Sequence, residues 1–156
     1  MKQPELEKIV LKTAGDVCAC LYEHGYEKCR NGDPSWNQLA EHLRELNLLE
    51  IESLEQQINN QINSIAINFC MKNYNGVGRH IRQLNKLGIP PELIKSSELY
   101  KLASECVVQD FNQERAALNY GNAMNIVEIA KNLGIKIPEE TERLYKNLGS
   151  ALDSSH

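Results

Sequence analysis

Residues 73–89 read NYNGVGRHIRQLNKLGI, and residues 119–135 read NYGNAMNIVEIAKNLGI. Both open on Asn-Tyr and close on Leu-Gly-Ile, and the second follows the first at an offset of 46 without a gap. Between these anchors Ile81 falls opposite Val127, and both segments carry helix-compatible sequence. A period of this length is the mark of stacked helical hairpins, an architecture that serves more often as a binding surface than as a catalyst.

On either side of the first copy the pattern stays helical. Ser53-Leu54-Glu55-Gln56 has the spacing of a capping box, in which Ser53 and Gln56 satisfy free amides reciprocally. From there Ile58, Ile62, Ile65, Ala66 and Phe69 predict a helix to about Tyr74, broken at Asn75-Gly76. The helix that follows buries Val77, Ile81, Leu84 and Leu87, and Gly88 ends it in the left-handed conformation. Pro90-Pro91 predicts an extended connection. Around the second copy, Ser96 or Ser97 caps a long helix with Leu99, Leu102, Ala103, Cys106 and Phe111 inward. It runs to about Tyr120, and the polar stretch from Asp110 to Arg115 is a place for a kink. Gly121-Asn122 breaks it. Ala123, Ile126, Ile129, Ala130 and Leu133 line the partner helix, Gly134 stops it, and a last helix follows Pro138 with Leu144, Leu148 and Leu152 inward.

Toward the amino terminus, a helix starts at Pro4 with Leu6, Val10, Thr13, Val17, Leu21 and His24 on one face, and Gly25 ends it. Asp33-Pro34 opens another, with Trp36, Leu39, Ala40, Leu43 and Leu46 as its stripe. The expectation is an all-α chain of about six to seven helices, folded as antiparallel hairpins in a short stacked array or a compact bundle. It forms a single domain over 1–156, with a degenerate hairpin at 4–48, hairpin copies at 53–88 and 97–134, and a capping helix at 138–152.

Composition narrows the function classes. The net charge of -4 and pI of about 5.6 argue against a general nucleic-acid binder, which is usually basic. No apolar run approaches the roughly 18–20 residues that cross a bilayer, and Met1 to Glu5 lacks the layout of a secretory signal. Five cysteines, an odd number, point to reduced thiols and a cytoplasmic setting. Abundant Asn, Ile and Lys fit an AT-rich bacterial genome.

Cys18, Cys20, His24 and Cys29 form the only metal-like cluster, but Cys18 and Cys20 lie about 200° apart around a helix and CxxC spacing is absent. They read as small buried thiols. No cysteine is marked as a nucleophile by a place at a helix amino terminus beside basic residues, with His24, His42 or His80 as its base, and Cys70 and Cys106 fall on core faces. Asn75-Gly76-Val77-Gly78 has neither the preceding strand nor the following Lys-Ser/Thr of a phosphate loop. The expectation is no enzyme, no metal and no cofactor.

Arg79, Arg82 and Lys86 fall within an arc of about 60° opposite the apolar stripe of their helix. The equivalent second-copy positions are Asn125, Glu128 and Asn132. A feature unique to one copy points to function, here an acidic partner or phosphates. No aromatic stacking platform accompanies the charge, which disfavours RNA. The expected partner is another protein, held by Arg79, Arg82 and Lys86, with Tyr74 and Tyr120 near the turns.

The segments Asn73–Ile89 and Asn119–Ile135 resemble the second helices of tetratricopeptide-type hairpins, where an aromatic and a Gly mark the turn. Their offset exceeds that family's period of about 34 and is nearer HEAT or armadillo units. The resemblance implies a concave face that binds peptides or proteins. Pro138-Glu139-Glu140-Thr141-Glu142, with Ser150, Ser154 and Ser155 after it, resembles the glutamate-rich carboxy-terminal signals of effectors exported by Dot/Icm-type secretion systems. That resemblance implies secretion into a host cell as the alternative to a cytoplasmic role.

Overall fold

The computed structural model describes residues 3–24, 26–30, 33, 38 and 53–154. Among them are eight helices and no strand: α1 Gln3–His24, α2 Tyr26–Arg30, α3 Leu54–Cys70, α4 Tyr74–Lys86, α5 Pro91–Lys95, α6 Glu98–Ala116, α7 Tyr120–Asn132 and α8 Glu139–Ser154. The all-α expectation holds. The two five-residue helices α2 and α5 were not anticipated; Pro90 is extended as expected, but Pro91 then sits in the first turn of α5, where its missing N–H costs nothing. The stripe Trp36, Leu39, Ala40, Leu43 and Leu46 lies outside the described residues. None of the described helices is long and apolar enough to cross a membrane.

Packing divides the chain into two compact units, Met1–Leu102 and Ala103–His156, with the division inside α6. In the first, α3 is the central element and packs against both α1 and α4. This accounts for its long buried list, Ile58, Ile62, Ile65, Ala66, Ile67, Phe69 and Cys70. Its capping box forms as expected: Ser53 Oγ accepts the Gln56 N–H at 3.1 Å, and Gln56 Oε1 accepts the Ser53 N–H at 3.4 Å. Phe69 anchors the core, 6.3 Å from the Tyr74 ring and edge-on to Tyr100 at 6.0 Å. Burial pushes the Tyr100 phenol up to about 12, so it stays a neutral hydroxyl. On α1 the buried positions are Leu6, Val10, Ala14, Cys18 and Leu21, so the stripe is turned from the expected Thr13 and Val17. In the second unit Phe111 of α6 packs with Ala123 and Val127 of α7, and Ile137, Leu144, Tyr145 and Leu148 cover them. Asp110, read in the sequence as part of a polar, kink-prone stretch, is fully buried, and α6 continues without a break to Ala116.

The hairpin turns correct the expected boundaries. α3 stops at Cys70, not Tyr74, and α6 stops at Ala116, not Tyr120. Asn75-Gly76 and Gly121-Asn122 are not breaks; they lie inside α4 and α7. The chain turns instead on Lys72 and Leu118, both left-handed at φ 64°. In the first copy the Lys72 N–H donates to the Phe69 carbonyl and the Asn73 N–H to the Asn68 carbonyl. Forty-six residues later Leu118 and Asn119 donate to Arg115 and Glu114 in the same pattern. Gly88 and Gly134 close α4 and α7 identically, with Ile89 and Ile135 donating to Leu84 and Ala130.

These closures satisfy carbonyls that a helix end otherwise leaves open. At Gly88 and Gly134 the side chains flanking each closure are apolar and buried: Ile89 with Leu84, Ile135 with Ala130. At Lys72 and Leu118 a hydrogen bond takes that place, from Asn73 Nδ2 to Asn68 Oδ1 at 3.2 Å and from Asn119 Nδ2 to Glu114 Oε2 at 3.0 Å. Each Asn thus ends one helix and begins the next. A left-handed non-glycine residue costs roughly 1–2 kcal/mol, about what the two recovered backbone bonds return at roughly 1 kcal/mol each. The 46-residue echo is therefore a repeated backbone geometry. Leu118 is 70% exposed, so truncating it removes little packing. Leu118→Gly is expected to raise the unfolding free energy by about 0.5–1 kcal/mol, and Asn119→Ala to lower it by about 1 kcal/mol, both measured by urea denaturation.

Candidate binding face of the first hairpin

Helix α4 is laid along α3 by the Lys72 turn, with Val77 and Leu84 fully buried and Ile81 half-buried. That docking sends Arg79, Arg82 and Lys86 outward. All three are exposed, and none makes an ion pair or hydrogen bond with another described residue. At 1.5 Å per residue the ridge is about 10 Å long. Residues 56–91 contain no Asp or Glu in a chain that has 21, and Lys72, Arg79, Arg82 and Lys86 are the only formal charges there. Like charges three and four apart on a helix repel by a few tenths of a kcal/mol per pair. Lys86, in the last turn, recovers part of this from the helix dipole, but Arg79 and Arg82 do not.

Gly78 shapes the ridge. A Cβ at this position would stand 3.4 Å from Nη1 of Arg82, so the guanidinium folds back over the glycine. The Asn75-Gly76-Val77-Gly78 segment is thus helix, not a phosphate-type loop.

The second copy treats the same positions differently. Glu128, equivalent to Arg82, accepts a hydrogen bond from Tyr145 Oη of α8 at 3.2 Å. Burial, followed by the bond to Glu128, raises the Tyr145 pKa. Lys131 Nζ lies 2.6 Å from Glu142 Oε1 and 4.7 Å from the centre of the Tyr145 ring. Charges in α7 therefore help to hold α8, whereas those in α4 hold nothing within the described chain.

The remaining candidates are placed as follows. Tyr74 is 3% exposed and packs on Phe69, so it is a core residue and not a surface anchor. Tyr120 is half-buried and belongs to the second unit. Cys18, Cys70 and Cys106 are buried and Cys20 is half-buried; the side chains of His24 and Cys29 lie outside the described residues. A cleft of about 310 Å³, lined by Ile9 and Val17 as well as by polar side chains, was not foreseen. Lys8, Lys12 and Asp16 of α1 face Glu55, Asn59 and Asn63 of α3 across it, and Thr13 Oγ1 donates to Asn59 Oδ1 at 2.7 Å. Each triplet is spaced four apart in the sequence, but nothing in one helix says which other helix it will meet.

His80 sits between the ridge and the core. Its Nδ1 lies 2.7 Å from Gln61 Oε1, so the Nδ1–H donates to the amide oxygen and ties α4 to α3. Burial, then the neighbouring Arg79 charge, lowers its pKa below the usual 6.5. The unfolded chain takes up a proton below pH 6.5 while the folded hairpin resists it. The His80 contribution to stability is therefore complete above pH 6.5 and is lost as pH falls toward the folded value. Urea denaturation between pH 7.5 and 5 is expected to show this loss in the natural chain, and a shallower decline in His80→Gln.

No known family, curated protein or solved structure matches this chain, so its functional reading rests on its own residues.

Proposed function

We propose that this chain is a non-enzymatic, protein-binding helical module that regulates, inhibits or tethers a partner by occupying part of the partner's surface. The observation that carries the reading is the bare ridge of Arg79, Arg82 and Lys86 on one of two hairpins built around the same turn. A scaffold requirement would recur in both copies, as the Asn-Tyr turn and the Leu-Gly-Ile stop do. The ridge does not recur, and it carries like-charge repulsion with no partner in the described chain. Resemblance of the hairpins to tetratricopeptide-type units supports the same class of function.

Arg82→Glu with Lys86→Glu is expected to leave the helical content and melting temperature near those of the unaltered protein, because both side chains are exposed. Affinity capture followed by mass spectrometry should then lose at least one specific partner recovered by the natural chain. Capture of the same set at full strength would remove this surface from the reading.

A second destination, export into a host cell, is supported by the resemblance of the tail to Dot/Icm-type signals. Removing residues 138–156 is a poor test, because α8 covers Phe111, Ala123 and Val127 and its loss would expose that core. Glu139 and Glu140 are exposed. Glu139→Ala with Glu140→Ala is expected to reduce translocation of a reporter fusion from a secreting strain while leaving thermal stability intact. Unchanged translocation would end this reading.

A further inference from the structure

The basic ridge carries information about the partner's chemistry beyond its sign. Its three charges follow a three-then-four spacing on a single rigid helix, so they form a straight row about 10 Å long. Around the row on α4 the other exposed polar residues, Asn75, Gln83 and Asn85, are uncharged but hydrogen-bonding. No carboxylate lies between residues 56 and 91, so neither α4 nor α3 beyond Glu55 supplies an anion that competes for the guanidinium groups. Outside this stretch the chain is strongly acidic, since the overall charge is -4 even with these four cations counted.

This combination selects among polyanions. A nucleic-acid backbone offers a charge every few ångströms and rewards an extended basic surface, and its binding weakens with each lost contact. Three cations supply few phosphate contacts, and the acidic remainder of the molecule repels a long polyanion. A short acidic segment escapes that repulsion, because charges beyond about 8–10 Å are screened at ordinary ionic strength. A helix with carboxylates at three- and four-residue spacing matches the row in length and pitch, and each Arg can take a carboxylate through two parallel N–H···O bonds.

Resting on the protein-binding reading above, we infer that the Arg79–Arg82–Lys86 face of α4 takes an acidic helical segment of a partner protein, with Asp or Glu residues three to four apart facing the row. The test is selection from a displayed library of helix-constrained peptides against the full chain, run in parallel on Arg82→Glu/Lys86→Glu and on Arg82→Gln/Lys86→Gln. The natural chain is expected to enrich peptides with carboxylates at three- and four-residue spacing, and their binding should weaken at least tenfold between 50 and 300 mM salt. The charge-reversed variant should enrich Lys and Arg at the same spacing, and the Gln variant should show neither preference. Enriched peptides without that acidic spacing, or with the same preference on all three proteins, would overturn the inference. So would a single-stranded oligonucleotide that displaces the enriched peptides at lower concentration than they bind. If affinity capture still returns a partner sensitive to the ridge, such a result would leave the binding-module reading standing and remove only the acidic-helix partner.

Discussion

Two left-handed residues that are not glycine hold the described hairpins together. Lys72 and Leu118 reverse the chain between a long helix and a shorter one, and the following Asn both closes the first helix and opens the second. A Gly at these positions would relieve the backbone cost, yet the turn forms without it. The recovered carbonyl bonds and the Asn side-chain bonds to Asn68 and Glu114 offset the strain. Everything downstream depends on this closure. It sets the direction of α4 along α3 and hence which residues of α4 are buried and which face outward. A turn one residue longer would rotate α4 by about 100° relative to α3 and bring the Arg79 row toward the core.

The two hairpins use this common geometry for different ends. In α7 the positions corresponding to the ridge are neutral or acidic, and neighbouring charges secure α8 through Glu128, Lys131, Glu142 and Tyr145. In α4 they are basic and unengaged within the described residues. The turn and stop residues carry stability in both hairpins, which leaves the exposed face of α4 free to differ from that of α7. His80 marks the boundary between these roles, because it shares a helix with the ridge and a hydrogen bond with α3.

Much of the architecture was legible from periodicity and capping chemistry. Ser53 and Gln56 cap α3 as their spacing required, Gly88 and Gly134 end α4 and α7 in the left-handed region, and Cys70 and Cys106 are core thiols. The turns were misread because the glycines of Asn75-Gly76 and Gly121-Asn122 looked like stops, while Lys72 and Leu118 carry no such signal. Tyr74 was misassigned for the same reason: with the break placed after it, it seemed to stand at a loop, whereas it opens α4 and packs on Phe69. Leu6, Val10 and Leu21 of α1 and Ala123 and Ala130 of α7 are buried as expected, but Ala14, Cys18 and Val127 take inward positions expected for Thr13, Val17 and Ile126.

The sequence by itself determined the all-α class, the 46-residue offset of the two Asn-Tyr to Leu-Gly-Ile segments, the glycine stops and the arc shared by Arg79, Arg82 and Lys86. These are local properties, written in spacings of three and four and in the few residues that suit helix ends. Only the tertiary structure decided where the hairpins turn, that Tyr74 is core, that the ridge is left unpaired within the described chain, and that an open cleft lies between α1 and α3. Those outcomes depend on which helices meet and on the strain a turn can bear when side chains support it. A one-dimensional pattern does not contain them.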